Sequence, residues 1–75
     1  MQLDLNIWTV YDHPTDFPDC FVGRRHTART GPTDDYVTGA TAEEVAKKIQ
    51  ERERYVLDFM PRDPSDDPQI IGSWI

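Results

Sequence analysis

A chain whose sole cysteine is Cys20 cannot close an internal disulfide, and such sparing use of cysteine fits a reducing compartment. Basic residues are also scarce. Eight Lys and Arg face fourteen Asp and Glu, a net charge of −6. Phosphate backbones are gripped by basic side chains that displace counterions, so this balance argues against direct nucleic-acid binding. No apolar run approaches the roughly 18 residues of a membrane span, and no basic-then-apolar leader opens the chain. A cytosolic protein with no membrane contact is therefore expected. With 75 residues, the chain reads as a single domain, 1–75, and a domain this short buries only about 60 per cent of its unfolded surface. That leaves little room for an enclosed active site.

Chemical signatures are missing as well. The ligand-type residues closest in sequence are Asp12, His13, Asp16, Asp19, Cys20 and His26, but their spacing lacks the paired His and Cys of zinc sites. Cys20 with His13 or His26 could be drawn as nucleophile and base, yet no oxyanion donor accompanies them, and a cysteine opening a strand is more often simply buried. Neither a phosphate-cradling glycine loop nor a triad is visible. A non-enzymatic protein without metal or cofactor is the expectation, with a small metal-dependent or cysteine enzyme as the competing reading.

What is present is enough for a fold. Hydrophobic residues make up 37 per cent of the chain and include eight aromatics, too many for a disordered segment. Strict alternation and β-forming residues from Leu3 to Tyr11 read as a first strand, with Leu3, Leu5 and Ile7 toward the core and Trp8 and Val10 on the opposite face. Two prolines and three acids within residues 12–19 end it in a rigid turn. Cys20 to Thr27 reads as a second strand, with Gly23 a bulge or close-contact point. A turn over Ala28 to Thr33 precedes a short third strand, Asp34 to Thr38.

The clearest element follows. From Thr41 to Arg54, Ala42, Val45, Ala46 and Ile49 recur at helical spacing and form a narrow apolar stripe. Thr41 and Glu44 make a capping box, the hydroxyl accepting from an early amide and the carboxylate reaching back to the amide of Thr41. Tyr55 to Met60 is a fourth strand with Tyr55, Leu57 and Phe59 on one face. Residues 61–68, with three prolines and three acids, form an exposed acidic loop. Gln69 to Ile75 closes the chain as a fifth strand. The expected fold is α+β: a small, mostly antiparallel sheet of about five strands with one helix on one face, in the order β-β-β-α-β-β. The helical crossover is long enough to permit one parallel pair.

Surface character is the remaining functional signal. Acids gather at Asp12, Asp16 and Asp19, at Asp34 and Asp35, and at Asp63, Asp66 and Asp67, with the aromatics Trp8, Tyr11, Tyr36 and Trp74 on strands near them. Acidic rims around aromatic anchors suit docking on a basic protein surface, Trp8 and Trp74 being the anchors. The plainer alternative is that the aromatics form the core and the acids serve solubility.

The opening run from Asn6 to Pro14 and on through Phe17-Pro18-Asp19-Cys20-Phe21-Val22 resembles small proteins of phages and prophages of alphaproteobacteria. The short acidic strand-helix-strand plan is similar to some anti-CRISPR proteins. That resemblance implies a stoichiometric inhibitor acting in the bacterial cytoplasm; the chain itself is expected as a monomer or homodimer. It would occlude the basic, nucleic-acid-binding surface of a CRISPR-Cas effector complex, and no site residues carry over. Thr38-Gly39-Ala40-Thr41-Ala42-Glu43-Glu44-Val45 also resembles the helix start of HicB-type antitoxins, as does Phe17-Pro18-Asp19. This chain departs from them in having one helix and no DNA-binding appendage.

Overall fold

The computed structural model describes residues 6–53 and 57–75. It contains β1 (Asn6–Asp12), β2 (Phe21–Thr27), β3 (Gly31–Gly39), α1 (Ala42–Arg52), β4 (Phe59–Pro61) and β5 (Ile70–Trp74). The strands form one sheet in the order β3-β2-β1-β5-β4, and every neighbouring pair is antiparallel. This is the expected α+β plan. The parallel pair permitted by the crossover is not used, because β3 and β4 occupy opposite edges and α1 joins them across the sheet.

The first strand has the expected period but buries the other face. Trp8 and Val10 are 1 and 2 per cent exposed, whereas Ile7 is half-buried. In a period-two strand, choosing one face inverts every side chain, and the helix lies over the side of Trp8 and Val10. Leu3, Leu5, Tyr55 and Val56, also assigned to strands on sequence, lie outside the described residues. β3 is longer than expected and begins at Gly31, since the turn before it is tightened by the Thr30 amide donating to Thr27 Oγ1 at 2.9 Å. Pro32 is tolerated because β3 is an edge strand.

The helix starts where Thr41 predicts, its Oγ1 accepting from the Glu44 amide at 3.1 Å. The Glu44 carboxylate reaches one residue further back than expected, accepting from the Ala40 amide at 3.0 Å. It ends at Arg52, where Glu53 turns extended while its amide still donates to Ile49 O. Val45 and Ile49 join Trp8, Val10 and Leu57 in the core, with Phe21, Val37, Ile71 and Trp74 packed against them. Each fully buried aliphatic side chain contributes about 1.5–3 kcal/mol. A Cβ on Gly23 would stand 2.9 Å from Ile49 Cδ1 and 3.0 Å from Val45 Cγ1. The helix therefore sits directly on the β2 backbone, the close contact anticipated at this glycine.

One helix cannot roof five strands. At about 4.8 Å between strands the sheet is roughly 19 Å wide, whereas a helix with its side chains is about 10 Å across. α1 accordingly covers β3, β2 and β1 and leaves the same face of β5 and β4 open. On the other side of the sheet the β1–β2 loop folds back. Val22, fully buried, alternates to that side, Pro14 is buried, and Phe17 packs on Tyr36 with ring centroids 5.2 Å apart.

Candidate functional site

Strand directions decide which loops meet. β1, β3 and β4 run the same way, so the β1–β2 loop, the start of α1 and the β4–β5 loop all emerge at one end of the sheet. The two acidic loops, distant in sequence, are tied there by the Asp12 amide donating to Gln69 O at 2.7 Å. Asp12, Asp16 and Asp19 come from the first loop, Asp63, Asp66 and Asp67 from the second, and Glu43 and Glu44 from the first helical turn. Eight of the fourteen acids thus collect at one end, all of them on exposed residues.

Several of these carboxylates have structural work. Asp16 pairs with Arg24, whose guanidinium lies 5.8 Å and 5.9 Å from the ring centroids of Phe17 and Tyr36. Asp12 Oδ1 accepts from His13 Nδ1, in the tautomer that carries its hydrogen on that nitrogen. Asp63 Oδ1 accepts from the Ser65 amide at 2.9 Å and the Ser65 hydroxyl at 2.8 Å, and these bonds hold its carboxyl below the usual aspartate range. Asp66 Oδ2 accepts from the Asp63 amide and Asp67 Oδ1 from the Gln69 amide. Glu44 is held low by the Ala40 amide first and by Lys48 second. These bonds fix the loops in shape while leaving the charges exposed.

Asp34 and Asp35 do not belong to this end. Both sit within β3, where alternation sends them to opposite faces. Asp34 is exposed, whereas Asp35 Oδ2 accepts from Arg25 Nε at 3.1 Å and from Arg52. Partial burial raises the Asp35 pKa, but Arg52 and then Arg25 outweigh it and hold the carboxyl below its ordinary value. Nearby, the Trp8 indole N–H donates to Glu53 Oε1 at 2.8 Å, the Asn6 amide donates to the same carboxylate, and Arg52 lies 5.5 Å from the Trp8 ring centroid. Trp8 is consequently a core residue with a satisfied polar tip. Its assignment as a surface anchor is corrected: it ended up inside because the helix took its side of the sheet.

Trp74 remains available. It is half-buried and packs on Phe59 with ring centroids 5.1 Å apart. Beside it, where the helix leaves β5 and β4 uncovered, a cleft of about 290 Å³ is lined by Val10, Ala42, Ala46, Phe59, Ile71 and Trp74, with Glu43 on its wall. Sequence reasoning set Phe59 on one strand face with Tyr55 and Leu57 and counted Ala42 and Ala46 in the apolar stripe of the helix, so it missed this cleft. The signal was present in the ratio of one short helix to five strands.

Among the described residues no three His, Cys, Asp or Glu side chains converge on a point that could hold a metal ion, and no helix is long and apolar enough to cross a membrane. Cys20 is half-buried at the end of the β1–β2 loop. No protein family, curated protein or solved structure matches this chain.

Proposed function

We propose that this protein is a non-enzymatic binding protein that presents its acidic end to a basic protein surface. The observation that carries the reading is the convergence of the two acidic loops and the first helical turn at one end of the sheet, while Arg25, Arg29 and Arg52 lie toward the other. Such a charge distribution orients and accelerates encounter with a positively charged partner. Its finer form follows the resemblance of the opening segment to small phage and prophage proteins and of the overall plan to anti-CRISPR proteins. The partner is then the nucleic-acid-binding surface of a bacterial CRISPR-Cas effector complex, and the acidic end occludes target DNA in the host cytoplasm. A second reading, a HicB-like antitoxin, draws on the Thr38 to Val45 segment, which forms a strand running into a Thr41-capped helix; its partner would be a small basic toxin.

Because Asp63, Asp66 and Asp67 accept loop hydrogen bonds, replacing them by alanine confuses charge with shape. Their joint change to asparagine removes three charges and keeps acceptor oxygens. In pull-down with host effector complexes and in interference assays in cells, the wild-type chain should bind and inhibit, and the triple asparagine variant should bind about tenfold or more weakly at low salt. Absence of both binding and inhibition by the wild type sinks the CRISPR-Cas form, and capture of a small basic toxin instead establishes the second reading.

A further inference from the structure

We propose that the open cleft beside α1 takes an apolar side chain of the same basic partner, so that recognition combines a hydrophobic anchor with flanking Lys or Arg on the acidic end. This rests on the reading above and names the chemistry of the bound segment: an amphipathic stretch of protein with one large apolar residue between bases.

The cleft is built to stay open. Its outer wall is the Phe59 and Trp74 ring pair, and Phe59 lies down on β5 only because Gly72 has no side chain: a Cβ there would come within 2.4 Å of Phe59 Cζ and 2.5 Å of Met60 O. Its inner wall is the small-residue flank of the helix, Ala42 and Ala46, and its floor is Val10 and Ile71. Ile71 is turned into it by the irregular register between β1 and β5, where Val10 pairs with Gly72 but Tyr11 with Ile70. Phe59 is 41 per cent exposed, a large apolar surface left facing water. A volume near 290 Å³ is at the lower limit of small-molecule pockets, about 300 Å³, and suits one or two side chains.

Charge decides the occupant. The cleft has Glu43 on its wall, and the β4–β5 loop with Asp63, Asp66 and Asp67 lies beyond the Pro61 end of the same hairpin. A second copy of this chain carries the same net charge of −6 and is repelled, whereas a basic segment is attracted from the moment of encounter. Apolar anchors in such pockets dominate affinity, and rim charges contribute register and rate.

The test uses two short amidated synthetic peptides, one with a single tryptophan between lysines, the other with an alanine in its place. Titrated into the ¹⁵N-labelled full chain, the first should shift the amides of Ala42, Ala46 and Ile71 and the indole of Trp74, and bind about tenfold or more tightly than the second. Ala46→Gln should abolish that advantage while leaving the alanine-containing peptide bound as before. Should Ala46→Gln fail to fold, Phe59→Ser on the exposed edge strand replaces it, with the same expectation. Equal affinity of the two peptides, with shifts confined to the acidic loops, overturns the cleft assignment and leaves the acidic-end reading standing. Binding of neither peptide at low salt removes both. Concentration-dependent self-association in sedimentation, with the same cleft amides shifting on dilution, overturns the proposal in favour of a second copy as occupant.

Discussion

The two ends of the sheet use the same side-chain chemistry for opposite purposes. Toward the end where α1 finishes, carboxylates are consumed by the fold: Asp35 between Arg25 and Arg52, Glu53 beneath the Trp8 indole and Asn6. At the other end the carboxylates of the β4–β5 loop bond chiefly to their own backbone and keep their charge toward solvent. A carboxylate is a structural part where it is roofed by a helix and faces a base, and a surface property where it sits in a loop with only amides to satisfy. The comparison predicts that neutralising acids at the first end costs stability, and at the second costs binding.

The largest stability effect should come from Glu53. Trp8 is 1 per cent exposed, so Glu53→Ala leaves a buried indole N–H without its acceptor, at a cost of about 1–3 kcal/mol. Glu53→Gln keeps an acceptor oxygen and should recover part of that loss. Urea unfolding followed by tryptophan fluorescence measures both. A change of less than about 0.5 kcal/mol in the alanine variant, the scatter of ordinary surface substitutions, would show that the two ends do not differ in the way argued.

Asp35 should come next. Its side chain is 27 per cent exposed, so the two ion pairs are partly screened, and Asp35→Asn should cost on the order of 1 kcal/mol at neutral pH. The pH dependence has a definite sign. The folded pKa lies below the unfolded value of about 3.9, so the contribution is fully present above that value and disappears as pH falls through the lower folded one. The stability gap between wild type and Asp35→Asn should hold from neutrality to about pH 5 and close progressively below about pH 4. A gap that persists unchanged at low pH means that the charge is not its source, and that the asparagine amide, which sets an NH2 group against the two guanidinium donors, costs stability by itself.

Much of this fold can be read without coordinates, and what cannot has identifiable causes. The helix was legible because its apolar stripe and its Thr41 cap agree, and the strands because alternation and proline punctuation are local. Which face of β1 turns inward was not legible, since Ile7 on one side and Trp8 and Val10 on the other are both apolar, and only the landing place of the helix decides between them. Asp35 was grouped with the loop acids because adjacency to Asp34 looks like a turn, whereas its partners Arg25 and Arg52 are set by the β2–β3 register and the docking of α1. The acidic character of the candidate site was visible in composition. Its gathering at one end depended on strand order, and the cleft on Ile71 and Gly72 at an irregular register that no local pattern announces.

The smallest effect separates shape from charge within the acidic end itself. Asp63 receives both the amide and the hydroxyl of Ser65, so Asp63→Ala should free that turn, whereas Asp63→Asn should retain it with one charge fewer. Amide exchange at Ser65 should therefore quicken in the alanine variant and remain near wild type in the asparagine variant, with global unfolding of both close to wild type because the loop is exposed throughout. If partner binding then falls equally in both, charge alone is recognised at this end. A further loss confined to Asp63→Ala means that the loop must also hold its shape, and it moves this carboxylate part of the way toward the structural role that Asp35 fills at the other end.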